Sequence, residues 1–333
     1  MNRDYRDHLK HVLTTTQPEF NRAFLNHFCD LTSAIRTKYG KKQSDLIEMK
    51  RWLAGKRAML YFTQKSTRTF MSFVSACQNL GMDWIEVRDP NISSEGKGES
   101  KFDSLRTFSS FCDVIIMRDA ASGLAVEVAA FLDATKRPVP VINGGSGTNH
   151  HPTQALLDIY TLDRTFRKAG RIDGKVIVLV GDLKRSRTIH SLCHLLRNYQ
   201  DVKLRLVSPP ELAMPEEIIA FLKEHRMCYE QTDDLDGAVD GADVIYLTRL
   251  QQEYGGVEGE IDYMRFALRP EHLNTPRKLA VLHPMPRGPE LPPELDHDSR
   301  VLIWRQQRNG MWVRTALLFL ILWRKNYDFL MVD

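Results

Sequence analysis

No pair of cysteines has C-x-x-C spacing in this chain; Cys29, Cys77, Cys112, Cys193 and Cys228 are odd in number and far apart. That argues against a disulfide framework and a zinc module, and for a reducing compartment. Long apolar runs are also lacking. The longest, Thr315–Trp323 (TALLFLILW), is about half of what a bilayer crossing needs, so it is expected to form a buried C-terminal helix. The opening MNRDYRDHLKHVL has no apolar core of the secretory type. Neither sign of charge dominates, with a net +4 and Lys and Arg spread along the chain. Without a basic stripe carrying interleaved aromatics, nucleic acid is not an expected partner, and neither is a membrane. No repeat and no low-complexity tract occurs. The expectation is a cytoplasmic protein.

What is present suits a folded α/β protein. The chain has 333 residues, 43% of them apolar and 26% charged, enough for two domains of about 150 residues each. Strand-like runs recur at Ala58–Phe62, Val114–Met117, Val139–Ile142, Val176–Val180, Leu204–Val207, Val244–Leu247 and Leu279–Leu282. Helical patterns separate most of them, as in parallel sheets, and runs such as VIVLV read as strands covered on both faces. Two doubly wound parallel-sheet domains are expected. A helix beginning near Gln154 would join them, with a boundary around residues 150–165.

Ligands of such folds bind beyond the carboxyl ends of the strands, and that is where polar clusters follow the apolar runs. Ser66-Thr67-Arg68-Thr69 stands between the first run and an apolar stripe at Phe70, Phe73, Val74 and Cys77. Free helix amides, hydroxyls and a guanidinium at one point suit a phosphate. The plain alternative is that Ser66 and Thr67 only cap the helix. Arg118 follows the second run, and Asn143 to Gln154 follow the third. The His150-His151 pair has no accompanying ligands at zinc spacing, so no metal is expected. Gly144-Gly145-Ser146-Gly147 has neither the P-loop nor the dinucleotide spacing, so no cofactor is expected. Arg187, Arg249 and Arg287, with Gln251, could hold a substrate bearing two carboxylates. His283-Pro284-Met285-Pro286 is rigid enough to aim carbonyl groups at an amine, and a cis X-Pro bond fits there.

Taken in order, these motifs resemble the catalytic chain of the aspartate carbamoyltransferase family over roughly residues 10 to 325. The resemblance rests on S-T-R-T, on Ser93 to Glu99, on His151-Pro152-Thr153-Gln154, and on Gly181-Asp182 with Arg187-Thr188. Arg249-Leu250-Gln251 and His283-Pro284-Met285-Pro286-Arg287 point to the aspartate branch rather than the ornithine branch. It implies transfer of a carbamoyl group from carbamoyl phosphate to L-aspartate, a step of pyrimidine synthesis. It also implies a carbamoyl-phosphate domain over 1–152, completed by a helix at about 305–333, and an aspartate domain over 153–304.

Ser66, Thr67, Arg68, Thr69 and Arg118 would hold the phosphate. Thr69, Arg118 and His151 would polarise the carbamoyl oxygen, and Gln154 with the carbonyls of Pro284 and Met285 would hold its nitrogen. Arg187, Arg249 and Gln251 would grip aspartate. Ser93 and Lys97 would reach the site of a neighbouring copy, making a homotrimer with shared sites. A regulatory chain or a dihydroorotase partner is compatible with the resemblance.

Departures from the family pattern are Gln64-Lys65 before S-T-R-T, Phe70 after it, Asp119 where a His is expected, Ser146 for an Asp, and Gln252-Glu253-Tyr254. They imply that domain closure does not use the ion pair formed in familiar relatives by the residues that Gln64 and Tyr254 replace. They also keep two other readings open, a carbamoyltransferase for another amine and a weakly active assembly subunit.

Overall fold

A computed structural model describes residues 9–40, 43–92, 94–147, 150–249, 262–275, 278–323 and 330. The chain divides into one unit of Met1–Tyr160 with Asn309–Asp333, and a second of Thr161–Arg308. Helices α1 (Arg22–Tyr39) and α2 (Gln43–Met49) precede a β/α alternation. It runs β1 (Arg57–Phe62), α3 (Thr67–Leu80), β2 (Asp83–Val87), α4 (Lys101–Ser109), β3 (Val114–Arg118), α5 (Leu124–Asp133), β4 (Val141–Asn143) and α6 (Pro152–Phe166). The second alternation is β5 (Val176–Val180), α7 (Arg187–Leu196), β6 (Lys203–Val207), α8 (Glu216–Glu224), β7 (Cys228–Thr232), α9 (Leu235–Val239), β8 (Val244–Leu247) and β9 (Ala280–Leu282). Helix α10 (Ile303–Leu322) closes the chain, and the unit boundaries fall inside α6 and α10.

Each unit is built on one parallel sheet. In the first the strand order is β2-β1-β3-β4, in the second β7-β6-β5-β8-β9. Parallel sheets are covered on both faces, which explains why β3 is buried at every position. Met59, Tyr61, Ile115, Met117 and Val141 pack with Leu124, Val128 and Leu132 of α5 in the first core. Val178, Val180, Ile245, Leu247 and Val281 anchor the second. The edge strands differ. β2 (DWIEV) and β7 (CYEQT) have only partly buried or exposed residues, and no apolar run announces them in the sequence. The TALLFLILW run is the buried end of α10, with Ala316 to Ile321 almost inaccessible. Four of the five cysteines are buried and Cys228 is exposed.

Both orders reverse direction at an inner pair of strands, β1 and β3 in one sheet and β5 and β8 in the other. A crevice opens outside the carboxyl ends of strands at such a reversal.

Candidate active site

In the first unit the reversal sets Phe62, the last residue of β1, opposite Arg118, the last of β3. The Gln64 amide then donates to the Arg118 carbonyl at 3.1 Å, which carries the chain to Ser66, where α3 begins. Ser66 occupies the N-cap position in an extended conformation, yet its hydroxyl accepts no capping hydrogen bond. The capping alternative is therefore not what this serine does. No acidic residue occupies the first turn of α3, so the positive end of the helix dipole is left to an outside anion. Thr69 is buried, while Thr67 and Arg68 are exposed.

Arg118 is 8% exposed, and its Nη1 donates to the Gly144 carbonyl at 3.3 Å. The next residue explains why glycine is needed. Gly145 has φ +103°, and a methyl there would stand 2.8 Å from both Arg118 Nη1 and His151 Cδ2. Arg118 and His151 thus converge on one point of the loop. Asn143 fixes that loop by accepting from the amides of Gly145 at 2.8 Å and Ser146 at 2.7 Å. His151 immediately precedes α6, and its carbonyl accepts from the amides of Gln154 and Ala155. Pro152 follows at the first helical position, where its missing N–H costs nothing.

Gln154 is buried, and its Nε2 donates to both oxygens of Asp158 at 3.1 and 3.3 Å. A carboxylate can only accept, so Asp158 fixes which end of the Gln154 amide is NH₂ and leaves Oε1 to accept. Beneath these groups Arg314 of α10 donates to Ser72 of α3 at 3.0 Å and to Thr153 of α6 at 3.2 Å. Its guanidinium stacks over Phe73, and burial pushes its pKa down to about 10. One buried arginine therefore ties the helix carrying the S-T-R-T block to the helix carrying Gln154.

Asp119, noted in the sequence only as a departure, is 2% exposed. Its carboxylate accepts from Thr63 at 2.5 Å, Lys101 at 2.7 Å and the Ala121 amide at 2.8 Å. Burial pushes this carboxyl up, but the Lys101, Thr63 and Ala121 donors outweigh it and hold it below the usual carboxylate range. Ser146, another departure, accepts from the Asp119 amide at 3.1 Å. Phe70 packs edge-on against Phe62, and Arg88 lies over its ring. The Gln64 Oε1 is buried with no hydrogen-bond partner among the described residues; Tyr254 lies outside them. Lys97 is exposed in a short 3₁₀ turn, Ser94–Lys97, and Ser93 lies outside the described residues.

In the second unit Gly181 follows β5 with φ +121°, and a methyl there would meet the Thr248 carbonyl at 2.4 Å. Only glycine lets the β5 and β8 exits approach so closely. Arg187 opens α7 after the first exit and Arg249 follows the second, both half-buried; Gln251 lies outside the described residues. The Arg185 side chain and amide are taken by Asp182. Arg287 does not remain open for a substrate either. It makes a two-pronged contact with Asp296, which the Trp304 indole N–H also reaches at 3.1 Å. Grouping Arg287 with the carboxylate-binding arginines is corrected by this pairing.

Beyond β9 the Met285–Pro286 bond is cis and Met285 has φ +62°. The Met285 amide donates to His283 Nδ1 at 2.8 Å, so Nε2 carries the proton and donates to Glu290 at 2.9 Å. Burial pushes the Glu290 carboxyl up, but His283 and the Gly288 amide outweigh it and hold it low. Gln306 accepts from the His283 amide at 2.9 Å. The backbone from His283 to Pro286 is therefore held by Glu290 and Gln306. Asp158, Glu290, Gln306, Lys101 and the role of Asp119 are what motif reading missed. Only Gln154 and Asp158, four apart on a helix, left a usable signal.

Comparison with known proteins gives two consecutive family matches. The family described as "Aspartate/ornithine carbamoyltransferase, carbamoyl-P binding domain" matches residues 10–164, and "Aspartate/ornithine carbamoyltransferase, Asp/Orn binding domain" matches 173–321. The chain is 42% identical over 275 residues to the aspartate carbamoyltransferase catalytic subunit of Thermococcus gammatolerans, covering 80% of this chain and 85% of that one. It is 39% identical over 317 residues to the multifunctional protein CAD of Squalus acanthias, which covers 94% of this chain but only 13% of CAD. Among solved structures, the catalytic subunit of M. jannaschii aspartate transcarbamoylase superposes with a TM-score of 0.83 at 32% identity, covering 94% of this chain and 98% of that one. The Trypanosoma cruzi enzyme in complex with aspartate and phosphate gives 0.80 at 32%, covering 94% and 95%.

Proposed function

This chain belongs to the aspartate/ornithine carbamoyltransferase family, and from that premise we propose that it transfers the carbamoyl group of carbamoyl phosphate to L-aspartate. The products are N-carbamoyl-L-aspartate and phosphate, a step of pyrimidine synthesis. The observation that carries this reading is the convergence of Arg118 and His151 at Gly145, beside a helix start whose Ser66 hydroxyl is not spent on capping. An anion and a polarised carbonyl together are what such a donor set favours.

Ser66, Thr67, Arg68, Thr69 and Arg118 take the phosphate. Thr69, Arg118 and His151 stabilise the negative charge that grows on the carbamoyl oxygen as the amine attacks; one such donor is worth about 10²–10³ in rate. Gln154, its acceptor end fixed by Asp158, takes an N–H of the carbamoyl NH₂, as do the Pro284 and Met285 carbonyls. Arg187, Arg249 and Gln251 take the aspartate carboxylates. The new C–N bond forms, the C–O bond to phosphorus breaks, and the leaving phosphate accepts the amine proton. No protein nucleophile enters, so positioning and fixed dipoles supply the acceleration.

The proposal extends to a cytoplasmic homotrimer in which Ser93 and Lys97 serve the site of the neighbouring copy. No helix among the described residues is long and apolar enough to cross a membrane. A colorimetric assay for carbamoyl-aspartate on the purified chain, run in parallel with ornithine as acceptor, tests the reading. Product from aspartate alone supports it; product from ornithine alone overturns the substrate, and none from either overturns the activity. Mass in solution tests the trimer.

A further inference from the structure

The loop that carries Lys97 is fastened at two places to the carboxyl edge of the first sheet. On one side of Lys97, Glu95 accepts from the Tyr61 hydroxyl of β1 at 2.8 and 2.9 Å. On the other, Lys101 reaches Asp119 at the end of β3 at 2.7 Å. Lys101 is the first residue of α4, where a cation opposes the helix dipole. Its place there is favourable only through a partner, and that partner is almost wholly buried.

Asp119 gathers more than this lysine. Through Thr63 it holds the exit of β1 just before Ser66, and its own amide and carbonyl hold Ser146 and Gly147 at 3.1 and 2.9 Å. The segments bearing Ser66 and Lys97 are tied to the Asp119 carboxylate, and the glycine loop is held by the backbone of the same residue, next to Arg118.

We propose that Asp119 and Lys101 form a coupled positioning pair for the phosphate site, setting the base of the Lys97 loop and the spacing of the S-T-R-T block from the glycine loop. The inference rests on the reading that carbamoyl phosphate binds there. It gives a purpose to Asp119, the residue that stands where the resemblance led one to expect a His. Removal of either partner releases the same tie, so the two changes are not independent. Lys101 is 39% exposed in its side chain, so its replacement leaves the core intact.

The test compares Lys101→Met, Asp119→Asn, the double variant and Lys101→Arg with the parent. Each is measured for KM and kcat with carbamoyl phosphate, for inorganic phosphate affinity by calorimetry, and for thermal midpoint. Each single neutral change is expected to raise the carbamoyl phosphate KM and the phosphate Kd about tenfold while kcat stays within about threefold. The double variant is expected to be no worse than the poorer single, and Lys101→Arg to stay close to the parent. Multiplying effects, an unchanged KM and Kd, or a Lys101→Arg variant as impaired as Lys101→Met would each overturn the pair. Failure of the underlying function would look different: the parent would make no carbamoyl-aspartate, while the phosphate titrations would still report on the pair.

Discussion

Arg118 and His151 meet at the same point above Gly145: a methyl added to this glycine would stand 2.8 Å from the guanidinium Nη1 and 2.8 Å from the imidazole Cδ2. The two side chains come from the end of a strand and the start of a helix 33 residues later, and the glycine is the surface on which they register. Its φ of +103° adds a second reason for glycine.

Gly145→Ala is therefore expected to cost about 1–3 kcal/mol of stability from backbone strain. It should also lower kcat/KM by about 100-fold, because both donors must move. Urea unfolding and steady-state kinetics on the same preparation separate the two effects. Activity within a few-fold of the parent would show that Arg118 and His151 do not act from these positions.

Asp158 yields a subtler expectation. Its carboxylate decides the orientation of the Gln154 amide, and Asp158→Asn removes that decision because the new side chain can donate as well as accept. Loss of such a supporting contact is expected to lower kcat/KM for carbamoyl phosphate about tenfold. It also removes the charge facing Arg314, so a lowered thermal midpoint should accompany it. A kcat/KM unchanged within about twofold would mean that the amide needs no fixing.

The sequence made the inner framework legible for a simple reason. β1, β3, β5 and β8 are covered on both faces, so their apolar runs stand out, and the polar clusters that follow them mark the carboxyl edges. β2 and β7 lie at sheet edges with residues such as Asp83, Glu86, Glu230 and Gln231 open to water, and alternation never reveals them. The same physics limits the site. Ser66 to Thr69, Arg118 and His151 announce themselves by position, whereas the Lys101–Asp119, Arg314–Thr153 and His283–Glu290 contacts depend on tertiary approach. Arg287 shows the cost of reading position alone, since Asp296, nine residues on in a 3₁₀ turn, takes the guanidinium.

Glu290 makes a pH-dependent contribution. His283 and the Gly288 amide hold its carboxyl below the ordinary carboxylate value of about 4.3. The stability it contributes is then fully present above that value and is lost as pH falls through the lower, folded one. Glu290→Gln should cost about 1–3 kcal/mol at pH 7, where a buried charge-assisted bond is weakened. The gap between parent and variant should narrow as the pH is lowered below 4. Denaturant midpoints across that range check this, and a gap that is constant or widening would contradict the assignment.

The proposed sharing of sites between copies makes a prediction that no self-contained site can match. Lys97→Ala and His151→Ala are each expected to reduce activity by at least about 100-fold, the first through a neighbouring copy and the second within its own. In a closed ring of three heterologous contacts, any mixed trimer places one chain with native His151 beside one with native Lys97 in the correct direction. Every hybrid ring thus contains one site with both native residues. Random reassembly of equal amounts makes roughly three trimers in four hybrid, so activity should return to about a quarter of the parent level. Dissociation, mixing and reassembly followed by the carbamoyl-aspartate assay measures it. If both residues served the same chain's site, no mixture would recover anything, and Lys97 would have to be returned to its own subunit.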